Sequence, residues 1–232
     1  MKTIEILQQL TEIIPIPTIN KEDWNKLDIH ELILACGANL GRSILAEAII
    51  KDLIQKGRFP NIWLSSRALQ KGYERKHDGY PHPITLEVLR EKGIPDQIIN
   101  SLRSQCLGPL TSLGSRTDVV LLVPHRQVYR LRSFFLGHDL PKSVTCIPRE
   151  DPSGEWVELS DAELKKNIEV EFDFLKRLIE DQLLGIIANV RERKYRDYRV
   201  NGVCYDQGIS FPFGGIPEPR SRLWGVGELG FG

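Results

Sequence analysis

The sequence predicts an open, doubly wound α/β fold: a parallel sheet of about four strands with helices on both faces. Three observations predict it. Short apolar runs alternate with helix-length amphipathic stretches along the chain. Val119-Val120-Leu121-Leu122-Val123 is unbroken by polar residues, as expected of a parallel strand covered on both sides. The run Leu32-Ile33-Leu34-Ala35-Cys36 passes through a short glycine-containing loop straight into a helical pattern, a strand–loop–helix turn typical of such sheets.

The elements follow in order. Residues 1–30 read as an N-terminal extension whose helical spacing (Ile4, Leu7, Leu10, Ile13, Ile14) breaks at Pro15 and Pro17. After the first strand, Ile44 to Ile54 keeps helical periodicity, and Asn61 to Ser66 forms a second strand behind Gly57 and Pro60. A polar loop over Arg67–His82 leads to a helix from about Ile84 to Glu91, stopped by Gly93, and a further short helix over Asp96–Arg103. Val119–Val123 is the third strand, Arg126–Leu136 a helix, and Ser143–Ile147 the fourth strand. Ser160-Asp161-Ala162-Glu163 is a capping box. It opens a long helix with a stripe of Leu164, Ile168, Phe172, Leu175, Ile179, Leu183, Ile186 and Val190 facing the core.

The end of that helix, Arg191 to Arg199, mixes basic and aromatic residues. Acidic residues interrupt it and the helix dipole itself favours cations there, so it reads as a solvated helix end rather than a nucleic-acid stripe. The domains are therefore 1–30, an α/β domain over 31–199, and a glycine- and proline-rich extension over 200–232. The aromatics of that last segment (Phe211, Phe213, Trp224, Phe231) could dock on the body or on a second copy, giving a homodimer through the extensions. The sequence leaves both open.

Composition narrows the function classes. Lysine plus arginine equals aspartate plus glutamate, 31 against 31, so no global field draws nucleic acid or an anionic membrane. There is no signal-peptide pattern at the N-terminus and no run long enough to span a bilayer. Cys36, Cys106, Cys146 and Cys204 are scattered, with neither C-x-x-C nor a Cys/His cluster, so no metal or other cofactor is expected. A reducing cytoplasmic setting suits such a chain.

The chemistry lies in Cys36-Gly37-Ala38-Asn39-Leu40-Gly41-Arg42-Ser43. A tight loop between strand end and helix start gathers backbone N–H groups around an anion. The positive helix end and the arginine favour the thiolate form of a cysteine placed there. A nucleophilic sulfur facing an oxyanion cradle suggests phosphoryl transfer through a cysteinyl-phosphate. The nucleotide-binding pattern G-x4-G-K-[ST] fits poorly, since Gly37 and Gly41 are one residue too close and arginine replaces lysine. A buried structural cysteine is the plainer alternative. The ordered set of small residues, Asn39, Arg42 and Ser43 argues against it.

Together with Ala46-Glu47-Ala48, this loop resembles that of the low-molecular-weight protein tyrosine phosphatase family, C-x-G-N-x-C-R-S-P-x-A-E. Trp63 to Ser66 resembles the family's W-x-x-D-S strand. Pro81-His82-Pro83 with Thr85–Leu89 and Gly93-Ile94 resembles its P-x-D-P-R-x4-L-x3-G-I stretch, and Glu150-Asp151-Pro152 its aspartate–proline loop. The resemblance covers roughly residues 31–185 and implies a three-layer α/β/α fold. It implies a tyrosine-phosphate phosphatase acting on a phosphorylated protein or small aryl phosphate. Cys36 would be the nucleophile, Arg42 the phosphate clamp and Asp151 the general acid. Gly37, Ala38, Asn39, Leu40, Gly41 and Ser43 would form the phosphate-binding loop.

This chain also departs from the pattern. Gly41 replaces a second loop cysteine, Ile44 replaces proline, and Pro124-His125 stands where the family shows Met-Asp. Ser153-Gly154 replaces the aromatic pair that walls the phosphotyrosine slot, leaving Tyr73 or Trp156 to fill that role. Leu40 tilts the reading away from the arginine-phosphate class, and the wide separation of Cys106 and Cys146 tilts it away from the arsenate reductases. A phospho-ligand-binding module that keeps the cradle without turnover is the alternative of a different class.

Overall fold

The apolar runs become a parallel sheet because each pairs with a neighbour along its whole length. In the computed structural model, residues 19–70, 72, 77–107, 117–123, 143–147, 159–188 and 209–210 are described. Strands β1 (Glu31–Cys36), β2 (Trp63–Ala68), β3 (Thr117–Leu121), β4 (Ser143–Cys146) and β5 (Ile209–Ser210) stand in the order β2-β1-β3-β4-β5, and every pairing is parallel. The helices are α1 (Arg42–Gln55), α2 (Pro83–Glu91), α3 (Asp96–Ser101) and α4 (Asp161–Asp181), with a 3-10 turn over Lys21–Leu27. From β1 the chain steps outward to β2, then returns past β1 to β3 and β4. The order therefore reverses between β1 and β3, and the crevice above such a switch point is where open α/β sheets bind ligands.

The core is apolar on both sides of β1 and β3. Leu32, Ala35, Val119 and Leu121 are fully buried, and burial at the ordinary gain per unit area makes these strands the anchor of the sheet. Helix α1 is buried from Arg42 to Ile50 without a solvated stripe, because it packs between the sheet and α4. Along α4 the predicted stripe is buried from Leu164 to Ile179. Its Glu163 carboxylate accepts hydrogen bonds from the Ser160 N–H (3.1 Å) and hydroxyl (2.6 Å), closing the helix start. The helix breaks at Gln182, and residues 183–188 continue as a separate turn of helix that buries Leu183 and Ile186. Lys165 bridges α4 to Glu87 and Glu91 of α2, both at 2.7 Å. No helix among the described residues is long and apolar enough to cross a membrane.

One expectation needs correction. The second strand runs two residues later than the apolar pattern suggested. Its pairing begins where the Trp63 N–H donates to the His30 carbonyl and continues to Ala68 beside Cys36, so the polar Ser65-Ser66-Arg67 belongs to the sheet. The expected parallel sheet of about four strands is present as β1 to β4, and the two residues Ile209 and Ser210 of the C-terminal segment add to its edge by pairing with Val144 and Thr145. The expected helices over 4–14 and 126–136, Val190 and the stretch 191–199 lie outside the described residues.

Candidate active site

Cys36 ends β1 beside Ala68 of β2, at the carboxyl edge of the sheet and at its switch point. Strand pairing runs on into the loop: the Leu69 N–H donates to the Cys36 carbonyl (2.8 Å) and the Gln70 N–H to the Gly37 carbonyl (2.9 Å). The next residues must turn through one helical diameter within five positions. Asn39 does this with φ +53°, in the left-handed region that asparagine tolerates better than most residues. The Leu40 carbonyl then accepts from the Thr85 hydroxyl (2.9 Å) and the His82 N–H (3.3 Å), tying the loop to the start of α2.

Helix α1 begins directly after the loop, with Gly41 at its N-cap. No side-chain hydrogen bond caps this end and its first turn holds no acidic residue. A helix start without acidic residues, with its N–H groups and the positive end of its dipole, favours an anion. The contrast is α4, whose first turn carries Asp161 and Glu163, the latter accepting from the Ser160 N–H.

Beneath the cysteine lies a polar relay. Cys36 Sγ is 3.0 Å from Ser43 Oγ. Asn39 Nδ2 donates to Ser43 Oγ (2.8 Å) and to Ser66 Oγ (2.9 Å), while Asn39 Oδ1 accepts from the Gln105 N–H (2.7 Å). A backbone N–H can only donate, so Gln105 fixes the orientation of the Asn39 amide. With the Asn39 donor already occupying Ser43 Oγ, the serine hydrogen is free to point at the sulfur. Asn39 and Ser43 are fully buried, which makes this network rigid and its loss costly.

Arg42, the first residue of α1, is 6% exposed and places Nε 3.9 Å from Oε1 of Glu171, itself 5% exposed, on α4. On the next turn of α1, Glu47 pairs with Lys51 at 2.7 Å. Arg67 of β2 is pushed down from the usual arginine value by burial, an effect opposed by the negative charges of Glu47 and Glu31. At the start of α2, His82 Nδ1 accepts from the Ile84 N–H (3.3 Å), and its ring meets His77 edge-on at 4.9 Å. Burial, and then the neighbouring His77, push His82 below the ordinary histidine value; Asp161 opposes the shift.

The other described cysteines differ from Cys36. Burial pushes the Cys146 thiol up to about 12, which leaves it protonated and inert. Cys106 sits on the far side of β2, opposite Ala68. Of the residues singled out from the sequence, Cys36 ends β1, Gly37, Ala38, Asn39, Leu40 and Gly41 form the loop, and Arg42 and Ser43 open α1. Asp151, Tyr73 and Trp156 lie outside the described residues. Sequence reasoning gave no role to Ser66, Thr85, Gln105 or Glu171. Only Ser66 carried a signal, as the serine ending the second strand.

No family model matches this chain, and no curated protein matches it. Solved structures do resemble it. Primo-1 aligns over 66% of this chain and 95% of its own, with 14% identity and a TM-score of 0.50. A low molecular weight protein tyrosine phosphatase from Bacillus subtilis aligns over 65% and 95% respectively, with 21% identity and a TM-score of 0.45. The low molecular weight protein tyrosine phosphatase of T. tengcongensis aligns over 65% and 98%, with 21% identity and a TM-score of 0.46. At such identities the likeness is one of fold. The chain shares its parallel α/β fold with Primo-1 over about two thirds of its length.

Proposed function

We propose that this protein is a cysteine-dependent phosphomonoesterase acting on phosphotyrosine or another aryl phosphate. The observation that carries the reading is the 3.0 Å contact between Cys36 Sγ and Ser43 Oγ, within a C-x5-R-S loop that ends on an uncapped helix start. In the first step Cys36 sulfur attacks phosphorus in line. The S–P bond forms as the P–O bond to the leaving group breaks, and Asp151 gives its proton to the departing phenolate. Arg42 holds two non-bridging oxygens while loop amides line the rest, stabilising the spread charge of the transition state. Water, deprotonated by Asp151, then attacks phosphorus, the S–P bond breaks, and the hydrogen bond from Ser43 eases departure of the thiolate. Inorganic phosphate is the second product.

Leu40, whose carbonyl is anchored by Thr85, leaves an apolar side chain at the loop position and favours an aryl over an arginine-linked phosphate. The arsenate reductase alternative loses further ground from the sheet order. Cys106 flanks β2 and Cys146 lies in β4, four strand spacings or roughly 19 Å apart, far beyond disulfide reach. The substrate would be a phosphorylated protein or small aryl phosphate, met in the cytoplasm, and pairing of two copies through the extensions belongs to the same proposal.

Replacing Asp151 by Asn separates turnover from mere binding. An enzyme of this kind loses about 10²-fold or more on aryl phosphates with poor leaving groups and far less on activated ones. A rate that is independent of the substitution for every leaving group would remove Asp151 from the mechanism.

A further inference from the structure

We infer that Glu171, in the middle of α4, is a positioning residue for Arg42: its buried carboxylate holds the guanidinium beside the loop so that the fork meets an incoming phosphate. The inference rests on the proposed role of Arg42 and adds a residue that no sequence motif of the loop contains. Both side chains are 7% exposed, and Arg42 Nε stands 3.9 Å from Glu171 Oε1. A cation buried to that degree requires a counter-charge close by. The carboxylate comes from a different helix, more than a hundred residues along the chain, so its placement depends on the packing of α4 against α1. Apolar residues surround it on the same face of α4: Ile168, Phe172 and Leu175 are all 2% exposed or less. A glutamate at such a core position is costly unless the charge it faces repays it.

The separation itself is informative. At 3.9 Å the attraction between full charges is strong, yet the distance lies beyond hydrogen-bond reach. Nε faces Glu171, and an arginine has two further nitrogens carrying four N–H donors with which to grip an oxyanion. The carboxylate thus restrains a side chain with four rotatable bonds. An anion bound at the loop would find the guanidinium already in place, which is the contribution that preorganisation makes to binding and to the transition state.

The test is binding of inorganic phosphate and turnover of para-nitrophenyl phosphate by Glu171→Gln, Glu171→Asp, Arg42→Lys and the Glu171→Gln/Arg42→Lys double variant of the full chain. Glu171→Gln keeps size and removes charge. It is expected to weaken phosphate binding about tenfold and to lower kcat/KM by at least as much, while Glu171→Asp, which keeps the charge, recovers part of both. In the Arg42→Lys background the Gln substitution should have little further effect, because the residue it acts through has changed. A purely structural role would lower the melting temperature in all backgrounds and leave phosphate affinity per folded molecule untouched. Phosphate binding that is unchanged or tighter in Glu171→Gln overturns the inference alone. Wild-type protein that binds no phosphate overturns it together with the proposed function. Wild-type protein that binds phosphate without turnover, with binding still weakened in Glu171→Gln, upholds the inference and removes the enzymatic reading.

Discussion

Asn39 Nδ2 donates to Ser43 Oγ at 2.8 Å, and the same serine oxygen lies 3.0 Å from Cys36 Sγ. Gln105 orients the amide from its other end, so a backbone N–H on a distant segment fixes which end of Asn39 faces Ser43 beneath Cys36. The relay ties the sulfur of a cysteine at a strand end to a buried network of Ser43, Asn39 and Ser66.

Asn39 serves both conformation and network, so its replacement by Ala removes three hydrogen bonds and strains φ at once. The expected cost is about 2–4 kcal/mol in stability and about 10²-fold in turnover of an aryl phosphate. Thermal melting and steady-state kinetics on the same preparation check both numbers. Replacement by Gly, which relieves the strain but not the lost bonds, should recover only part of the stability.

Ser43→Ala removes two hydrogen bonds, those with Cys36 Sγ and Asn39 Nδ2, and little volume, while Asn39 Nδ2 keeps its bond to Ser66. The expected result is a fold of ordinary stability whose second half-reaction slows about tenfold, because the departing sulfur loses its donor. Rapid mixing with a good aryl phosphate should then show a larger burst of phenol than wild type, with phosphate bound covalently at Cys36.

His82 titrates against the fold. Its folded-state value is pushed below the ordinary 6.5 by burial and by His77, so the folded protein binds the proton less readily than the unfolded chain. Stability from this group is therefore fully present above about pH 6.5 and is lost as pH falls below it towards the lowered folded-state value, first because a charged ring is costly to bury and then because of His77. Protonated Nδ1 also can no longer accept from the Ile84 N–H. His82→Asn keeps a capping acceptor without the titration. It should flatten the dependence of melting temperature on pH below about 6.5 and leave the neutral value almost unchanged.

Leu45 and Ile168, both fully buried, lie on the helices that face one another over the sheet. Truncating either to Ala should cost about 2–5 kcal/mol, read by urea unfolding. The Ile168 change, three residues from Glu171, is expected to weaken phosphate binding as well, since it loosens the helix that carries the counter-charge.

How much of this was legible beforehand differs by element. Val119–Leu121 and Leu32–Cys36 announce buried parallel strands because burial on both faces demands an unbroken apolar run. The loop announces itself because only a few residue types fit so tight a turn, and Asn39 at φ +53° is the clearest of them. The end of β2 was hidden, since Ser65, Ser66 and Arg67 are polar residues whose place in the sheet comes from pairing with β1. Ile209–Ser210 was hidden for a related reason: two residues in a glycine-rich segment carry no periodicity, and only β4 gives them a register. Glu171 was invisible, because in sequence it is one more acidic residue of a charged helix, and burial against Arg42 is a tertiary fact.

The central claim is that Cys36 forms and breaks a bond to phosphorus. It is tested most directly by hydrolysis of para-nitrophenyl phosphate with wild type and Cys36→Ser, both with a metal chelator present. The account predicts turnover by wild type that survives the chelator, and its loss in the serine variant by about 10³-fold or more, with phosphate still bound. No turnover by either protein, with phosphate bound equally by both, would contradict the account and make the loop a recognition site.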